Sequence, residues 1–200
     1  MRLSLENVGK SYPGRKVFEN ISIKIAQNEK LVITGPNGSG KTTLINVISS
    51  MLPKSSGKIS FELDGKQYSG SELLPFSGIV SPDFYFYDEL TANENLSFFA
   101  HVSGLERNNF QNELARVGLE GRGDDPVKSY SSGMKHRLKY VLVLINNPPL
   151  LFLDEPTANL DDNGKAIVKD IIHSRKDCIT IIATNETDEL NYADKTIKLA

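Results

Sequence analysis

Cysteine occurs once, at Cys178, which excludes an intrachain disulfide framework and a zinc site built from several thiolates. It leads into Ile179-Thr180-Ile181-Ile182, where a buried, inert thiol is expected. An excess of either charge is also missing: 23 Lys and Arg stand against 25 Asp and Glu. Proteins that coat nucleic acid or an acidic membrane surface normally need a basic excess or stripe, so nucleic acid is not an expected partner. No run approaches the roughly 18 apolar residues of a membrane helix. The start, Met1-Arg2-Leu3-Ser4-Leu5-Glu6, alternates like a strand and lacks the apolar block of a signal peptide. A soluble, cytoplasmic chain is expected. With 39% hydrophobic and 24% charged residues in 200, the chain can pack a core as one domain, with a small inserted subdomain at most.

Leu3, Leu5 and Val8 open a strand, and Val17-Phe18 with Ile21, Ile23 and Ile25 continue a period of two across the turn Tyr12-Pro13-Gly14. Leu31-Val32-Ile33-Thr34 reads as a strand buried on both faces, and Thr42 to Ser50 as an amphipathic helix. Ile59 to Leu63 alternates toward the turn Asp64-Gly65. From Glu89 to Leu119 the pattern turns helical, so residues 88–126 are expected as a helical insertion into an α/β core spanning 1–87 and 127–200. Helices at Ser131–Asn146 and Gly164–Arg175 then alternate with strands at Leu150–Leu153, Cys178–Ala183 and Lys195–Leu199, which implies a parallel sheet.

Gly35-Pro36-Asn37-Gly38-Ser39-Gly40-Lys41-Thr42 fits G-x-x-x-x-G-K-[ST] between a strand and a helix, as a phosphate-binding loop requires. Glycines let successive N–H groups turn around an anion, and the helix that carries Thr42 and Thr43 points its positive end there. Lys41 can bridge the β- and γ-phosphates of ATP, and the Thr42 hydroxyl can ligate Mg²⁺. The alternative, a glycine-rich turn ahead of a helix, would not need the lysine. The strand Leu150–Leu153 ends in Asp154-Glu155. Asp154 suits the metal, and Glu155 suits the polarisation of an attacking water. Ser131-Ser132-Gly133-Met134 opens a helix and can bind a second anion, although a serine there can also simply cap its helix. His101, His136 and His173 have no metal-ligand spacing and read as surface or packing residues.

Taken together, the loop at Gly35, then Tyr130-Ser131-Ser132-Gly133-Met134, then Leu153-Asp154-Glu155-Pro156-Thr157-Ala158-Asn159-Leu160-Asp161 resemble the motifs of an ATP-binding-cassette ATPase. The resemblance covers nearly the whole chain. Its signature is degenerate here, with Ser132 and Met134 where Gly and Gln are usual, as in other exporter-type members, and the sequence resembles the subunits of two-component export systems, including the heme exporter of cytochrome c maturation. The resemblance implies a P-loop NTPase fold: a RecA-like parallel sheet with an antiparallel β subdomain and an inserted helical one. It implies a homodimer, or a pseudo-symmetric heterodimer, packed head to tail, so that ATP on one Lys41 loop is covered by Ser131, Ser132, Gly133 and Met134 of the other subunit. Tyr12 matches the aromatic that stacks on adenine, although such a turn tyrosine can also pack locally. Asp161 matches the acidic residue of the loop crossing the dimer interface. Separate membrane-spanning permeases would be the driven partners, holding the subunit at the inner face of the membrane.

Two positions depart from the family pattern. Asp83 stands where a metal-touching glutamine is usual, before Phe84-Tyr85-Phe86-Tyr87. Asn185 stands where a histidine contacts the γ-phosphate. Asp83 can still ligate Mg²⁺. Asn185 can donate a hydrogen bond but carries no positive charge, so intact ATP binding with slow hydrolysis is expected. Two other classes share the phosphate loop. A non-transport cassette acting on ribosomes or DNA repair usually shows a second cassette or a long insertion, and neither is present. A P-loop kinase would leave Ser131–Gly133 without a role.

Overall fold

Strand alternation at the amino end survives only by slipping. In the computed structural model, which describes residues 1–200 apart from the side chain of Thr187, β1 (Arg2–Tyr12) pairs antiparallel with β2 (Arg15–Ala26) and with β4 (Ser56–Leu63). Leu3 and Leu5 are buried in phase, then the register shifts before Val8 and again around Lys10. Asn7, at φ 49°, takes the left-handed conformation that the extra residue needs. The hairpin from β4 to β5 (Lys66–Tyr68) closes through Asp64 and Gly65, both at positive φ, as a two-residue type I′ turn requires. This sheet runs in the order β2-β1-β4-β5.

The second sheet has the order β6-β7-β8-β3-β9, with β3 (Lys30–Thr34), β6 (Ser77–Val80), β7 (Leu150–Asp154), β8 (Ile179–Thr184) and β9 (Lys195–Lys198). β3 lies parallel to β8 and β9, and β7 parallel to β8. Every residue of β7 and β8 is buried, which explains their unbroken apolar runs. Leu31, Ile33, Phe152 and Ile181 share one core with Leu3, Leu5 and Ile25 of the antiparallel sheet. Each such fully buried side chain is worth about 1.5–3 kcal/mol relative to exposure. The helix α1 (Lys41–Ile48) adds Leu44, Ile45, Val47 and Ile48 to that core. Residues 70–80 carry structure that the sequence pattern does not announce, a 3₁₀ turn over Gly70–Phe76 followed by β6.

The chain divides into two compact units. The first comprises residues 1–79, 149–155 and 176–200, the second 80–148 and 156–175. The second unit is helical: α2 (Ala92–Val102), α3 (Gln111–Arg116) and α5 (Asp162–Ser174) all pack on α4 (Ser132–Asn146). The expected helical insertion, 88–126, lies inside this unit, which extends further to take in α4 and α5. A capping box starts α2, where the Thr91 side chain accepts from Glu94 N and Glu94 accepts from Thr91 N. Left-handed Asn147 ends α4 ahead of Pro148-Pro149. The helical pattern from Glu89 to Leu119 resolves into two short helices. Phe98 and Phe99 do not turn to a core but join Phe84, Phe86 and Tyr87 in a cluster of ring contacts 5.1–6.3 Å apart. Among the described residues no helix is long and apolar enough to cross a membrane.

Candidate functional site

Backbone closeness builds the loop between β3 and α1. A Cβ at Gly35 would lie 2.6 Å from the Leu199 carbonyl oxygen, and one at Gly40 would lie 2.5 Å from Val17 Cγ1. Gly40, at φ 100°, precedes α1 and supplies no side-chain cap, which leaves the first N–H groups of that helix for an anion. The buried Lys41 ammonium donates to the carbonyls of Gly35 (3.0 Å) and Pro36 (3.3 Å) and to Asn185 Oδ1 (2.6 Å). Three acceptors thus meet its three protons. The buried Ser39 hydroxyl has no hydrogen-bond partner among the described residues, a donor a phosphate oxygen would satisfy.

Strand register brings the rest together. Thr34 of β3 lies opposite Thr184 of β8, and Asp154 of β7 opposite Ala183, so the ends of three parallel strands sit side by side. The carboxyl ends of parallel strands are where open sheets bind ligands. There Thr42 Oγ1 donates to Asp154 Oδ2 at 2.7 Å, and Glu155 N donates to the Ala183 carbonyl at 2.8 Å. Because Lys41 can only donate, the Asn185 amide must turn Oδ1 to it, and Asn185 Nδ2 then donates to Asn37 Oδ1. A hydroxyl beside an ionised carboxylate is a hard oxygen pair that suits Mg²⁺, which takes its remaining ligands from water and phosphate. The residues present therefore fit that ion. Among the described residues no cluster of three His, Cys, Asp or Glu could hold a metal on its own.

Glu155 is half-buried. Burial raises its carboxyl above the ordinary glutamate value, opposed by the Lys41 charge and a hydrogen bond from the Asn185 backbone, and reinforced by Asp154 and Glu189. It also sits at φ 51°. A cavity of about 290 Å³ joins Tyr12, Arg15 and Val17 to Asn37, Gly38, the stretch from Gly40 to Thr43, and Glu155. Tyr12 is 47% exposed there. Arg15 and Val17 carry no site signal in the apolar alternation of the second strand, which marks only its core face. Their i, i+2 spacing after the turn, with a cation facing an anion-binding loop, was the available signal.

The remaining candidates belong to the second unit. Ser131 caps α4, accepting from Met134 N at 3.2 Å, and Asp161 caps α5, accepting from Gly164 N at 2.8 Å. Both residues thus have local structural work. Ser132 is exposed and Gly133 partly so. Asp83 is exposed, just past a loop whose Ser81 carbonyl accepts from buried Lys139 Nζ at 2.7 Å. His136 is a packing residue, buried with Nε2 2.8 Å from the Pro156 carbonyl oxygen. Cys178 is buried, as expected.

A sequence profile described as ABC transporter matches residues 18–158. The chain belongs to that family. It is 35% identical over 174 residues to the lantibiotic transport ATP-binding protein SrtF of Streptococcus pyogenes, covering 87% of this chain and 75% of that one. It is 36% identical over 172 residues to the cytochrome c biogenesis ATP-binding export protein CcmA of Mesorhizobium japonicum, covering 83% and 82%. A dimeric ATP-binding cassette solved with ADP and phosphate superposes with a TM-score of 0.82 at 22% identity, over 98% of this chain and 94% of that one, which establishes the fold. The chain is the ATP-binding and ATP-hydrolysing cassette of an ABC transporter. Cassettes of this family dimerise and partner with membrane permeases.

Proposed function

We propose that this cassette powers export, with Lys41, Thr42, Asp154, Glu155 and Asn185 carrying out Mg·ATP hydrolysis at the cavity beside the phosphate loop. The observation that carries the assignment is the Thr42 Oγ1–Asp154 Oδ2 contact of 2.7 Å beside an ammonium held in the loop. Thr42 and Asp154 would hold the metal. Mg²⁺ would neutralise charge on the β- and γ-phosphates. Loop amides and Lys41 grip the triphosphate, and Glu155 accepts a proton from the attacking water. Ser131, Ser132, Gly133 and Met134 of a second subunit cover the nucleotide, with Asp161 at the shared interface. The dimer is a homodimer or a pseudo-symmetric heterodimer. The two relatives described above, one named for lantibiotic transport and one for export, support the exporter reading. The exposed rings of Tyr85 (78%) and Tyr87 (53%), next to Asp83, support this face as the one that meets the permease, fixing the subunit to the inner side of the membrane.

ATP turnover by the purified chain without any phosphate acceptor tests the reading, since strict acceptor dependence would mark a kinase instead. Rate is expected to be limited at Asn185. A histidine there would offer a cationic donor to transition-state charge, and one such donor is worth on the order of 10²-fold. Asn185→His should therefore raise steady-state turnover about tenfold or more with ATP affinity changed only a few-fold. Unchanged or lower turnover would remove Asn185 from the rate argument.

The acid limb of the pH–kcat profile carries a second expectation. Glu155 must be ionised to accept a proton, and burial holds its proton to higher pH than usual. Bound phosphate charge pushes the same way. Activity should fall on acidification at a pH above the ordinary glutamate range. A limb at or below that range would show that Glu155 does not set the rate.

A further inference from the structure

The Tyr12 ring does not stand alone on its turn. Lys10 lies two residues earlier on β1, across a register shift, and is 8% exposed. Its Nζ sits 4.8 Å from the Tyr12 ring centroid and donates to the Pro53 carbonyl at 2.8 Å. The neighbouring backbone is fastened to the same stretch: Ser11 N donates to Ser55 Oγ at 3.0 Å, Ser55 Oγ to the Ser11 carbonyl at 3.2 Å, and Ser55 N to the Gly9 carbonyl at 2.8 Å. Residues 53–55 lie on the segment after α1 (Lys41–Ile48), past the link 49–52. The turn bearing Tyr12 is thus tied to the segment leaving the phosphate-binding helix, and the ammonium is the part of that tie that touches the ring.

We propose that Lys10 is a positioning residue for the nucleobase, holding the Tyr12 ring from one face so that the other is presented to a purine. A cation against one face of an aromatic ring is attracted by its quadrupole and fixes the ring's tilt. It also draws π-density away from the free face, which favours stacking with an electron-rich base. The proposal rests on the reading of Tyr12 as the base platform. It adds the residue that orients the platform and assigns it a share of the discrimination between ATP and a bare triphosphate.

The test separates base from phosphate. Wild type, Lys10→Met, Lys10→Arg, Tyr12→Ala and the Lys10→Met/Tyr12→Ala double variant are titrated by calorimetry with ATP and with inorganic tripolyphosphate. Lys10→Met should weaken ATP about 3–10-fold, the range of a partly desolvated cation–π contact, and leave tripolyphosphate unchanged. Lys10→Arg should keep most of the ATP affinity. In the double variant Lys10→Met should add nothing to the loss caused by Tyr12→Ala. Equal weakening of both ligands by Lys10→Met, or additive losses in the double variant, would overturn the proposal. Because Lys10→Arg keeps the charge, its retention of ATP affinity supports the proposal even if the Met variant folds poorly, and a loss as large as that of Tyr12→Ala counts against it. If Tyr12→Ala leaves the preference for ATP over tripolyphosphate untouched, the platform reading itself falls, a result distinct from failure at Lys10 alone.

Discussion

Glu155→Gln should lower ATP turnover by about 10²–10⁴-fold, the usual contribution of a positioned general base, while ATP still binds. Gln matches Glu in size and keeps a hydrogen-bonding oxygen, so the loop, Lys41 and the Thr42–Asp154 pair stay in place. What is lost is a group able to take a proton. Bound ATP would then persist between paired subunits, and gel filtration with Mg·ATP should show a species at twice the 22.1 kDa chain mass that wild type does not accumulate. A monomeric elution at saturating ATP would contradict the covering of one loop by the partner's Ser131–Met134. The stability sign follows from burial. A carboxyl whose folded pKa is raised favours folding only while protonated, and that advantage is gone once pH exceeds its folded value. At neutral pH the Gln variant should therefore melt no lower than wild type.

Glu155 is set apart by its backbone as well as its charge. Among the described residues, six of the eight non-glycine residues at positive φ are Asn or Asp, the types that tolerate this region. Glu155, at φ 51° directly before Pro156, has no such excuse. Left-handed backbone costs such a residue about 1–2 kcal/mol. Strain of this kind persists where the surroundings hold a side chain in place for use. The same strain explains why the carboxylate end of β7 could be read from sequence but its conformation could not, because a hydrophobic run followed by two acids says nothing about φ.

The unequal legibility of the chain has similar local causes. The loop at Gly35 and the runs at Leu31, Leu150 and Ile179 were plain because strands buried on both faces show no alternation and glycines mark the close approach. Strand β6 is not legible in the sequence because Ser77-Gly78 gives it no apolar period and only Ile79 and Val80 carry it. Helical spacing at Phe98 and Phe99 cannot distinguish an inward stripe from an aromatic patch at the surface. The role of Ser131 as cap was equally readable and is realised, which leaves its proposed contact with a partner's nucleotide to experiment. Arg15 is equally illegible, because it is a charged residue on a strand whose pattern shows only in its apolar positions.

Lys41→Ala should reduce ATP affinity by at least about 10²-fold, the scale of removing one partner from a buried, hydrogen-bonded charge pair. Two losses combine. The β- and γ-phosphates lose a cation, and the loop loses the donor that satisfies the Gly35 and Pro36 carbonyls and Asn185 Oδ1. The second loss makes the effect differ from simple charge removal, which more salt would mimic. Titration at rising ionic strength separates the two: wild-type binding should weaken with salt, whereas Lys41→Ala should bind weakly throughout with a flatter dependence. Lys41→Arg should not rescue, because a planar fork cannot reproduce the compact ammonium seated among three acceptors. Tight ATP binding by Lys41→Ala would mean that the anion sits elsewhere, and the assignments of Thr42, Asp154 and Glu155 would lose the phosphate that relates them.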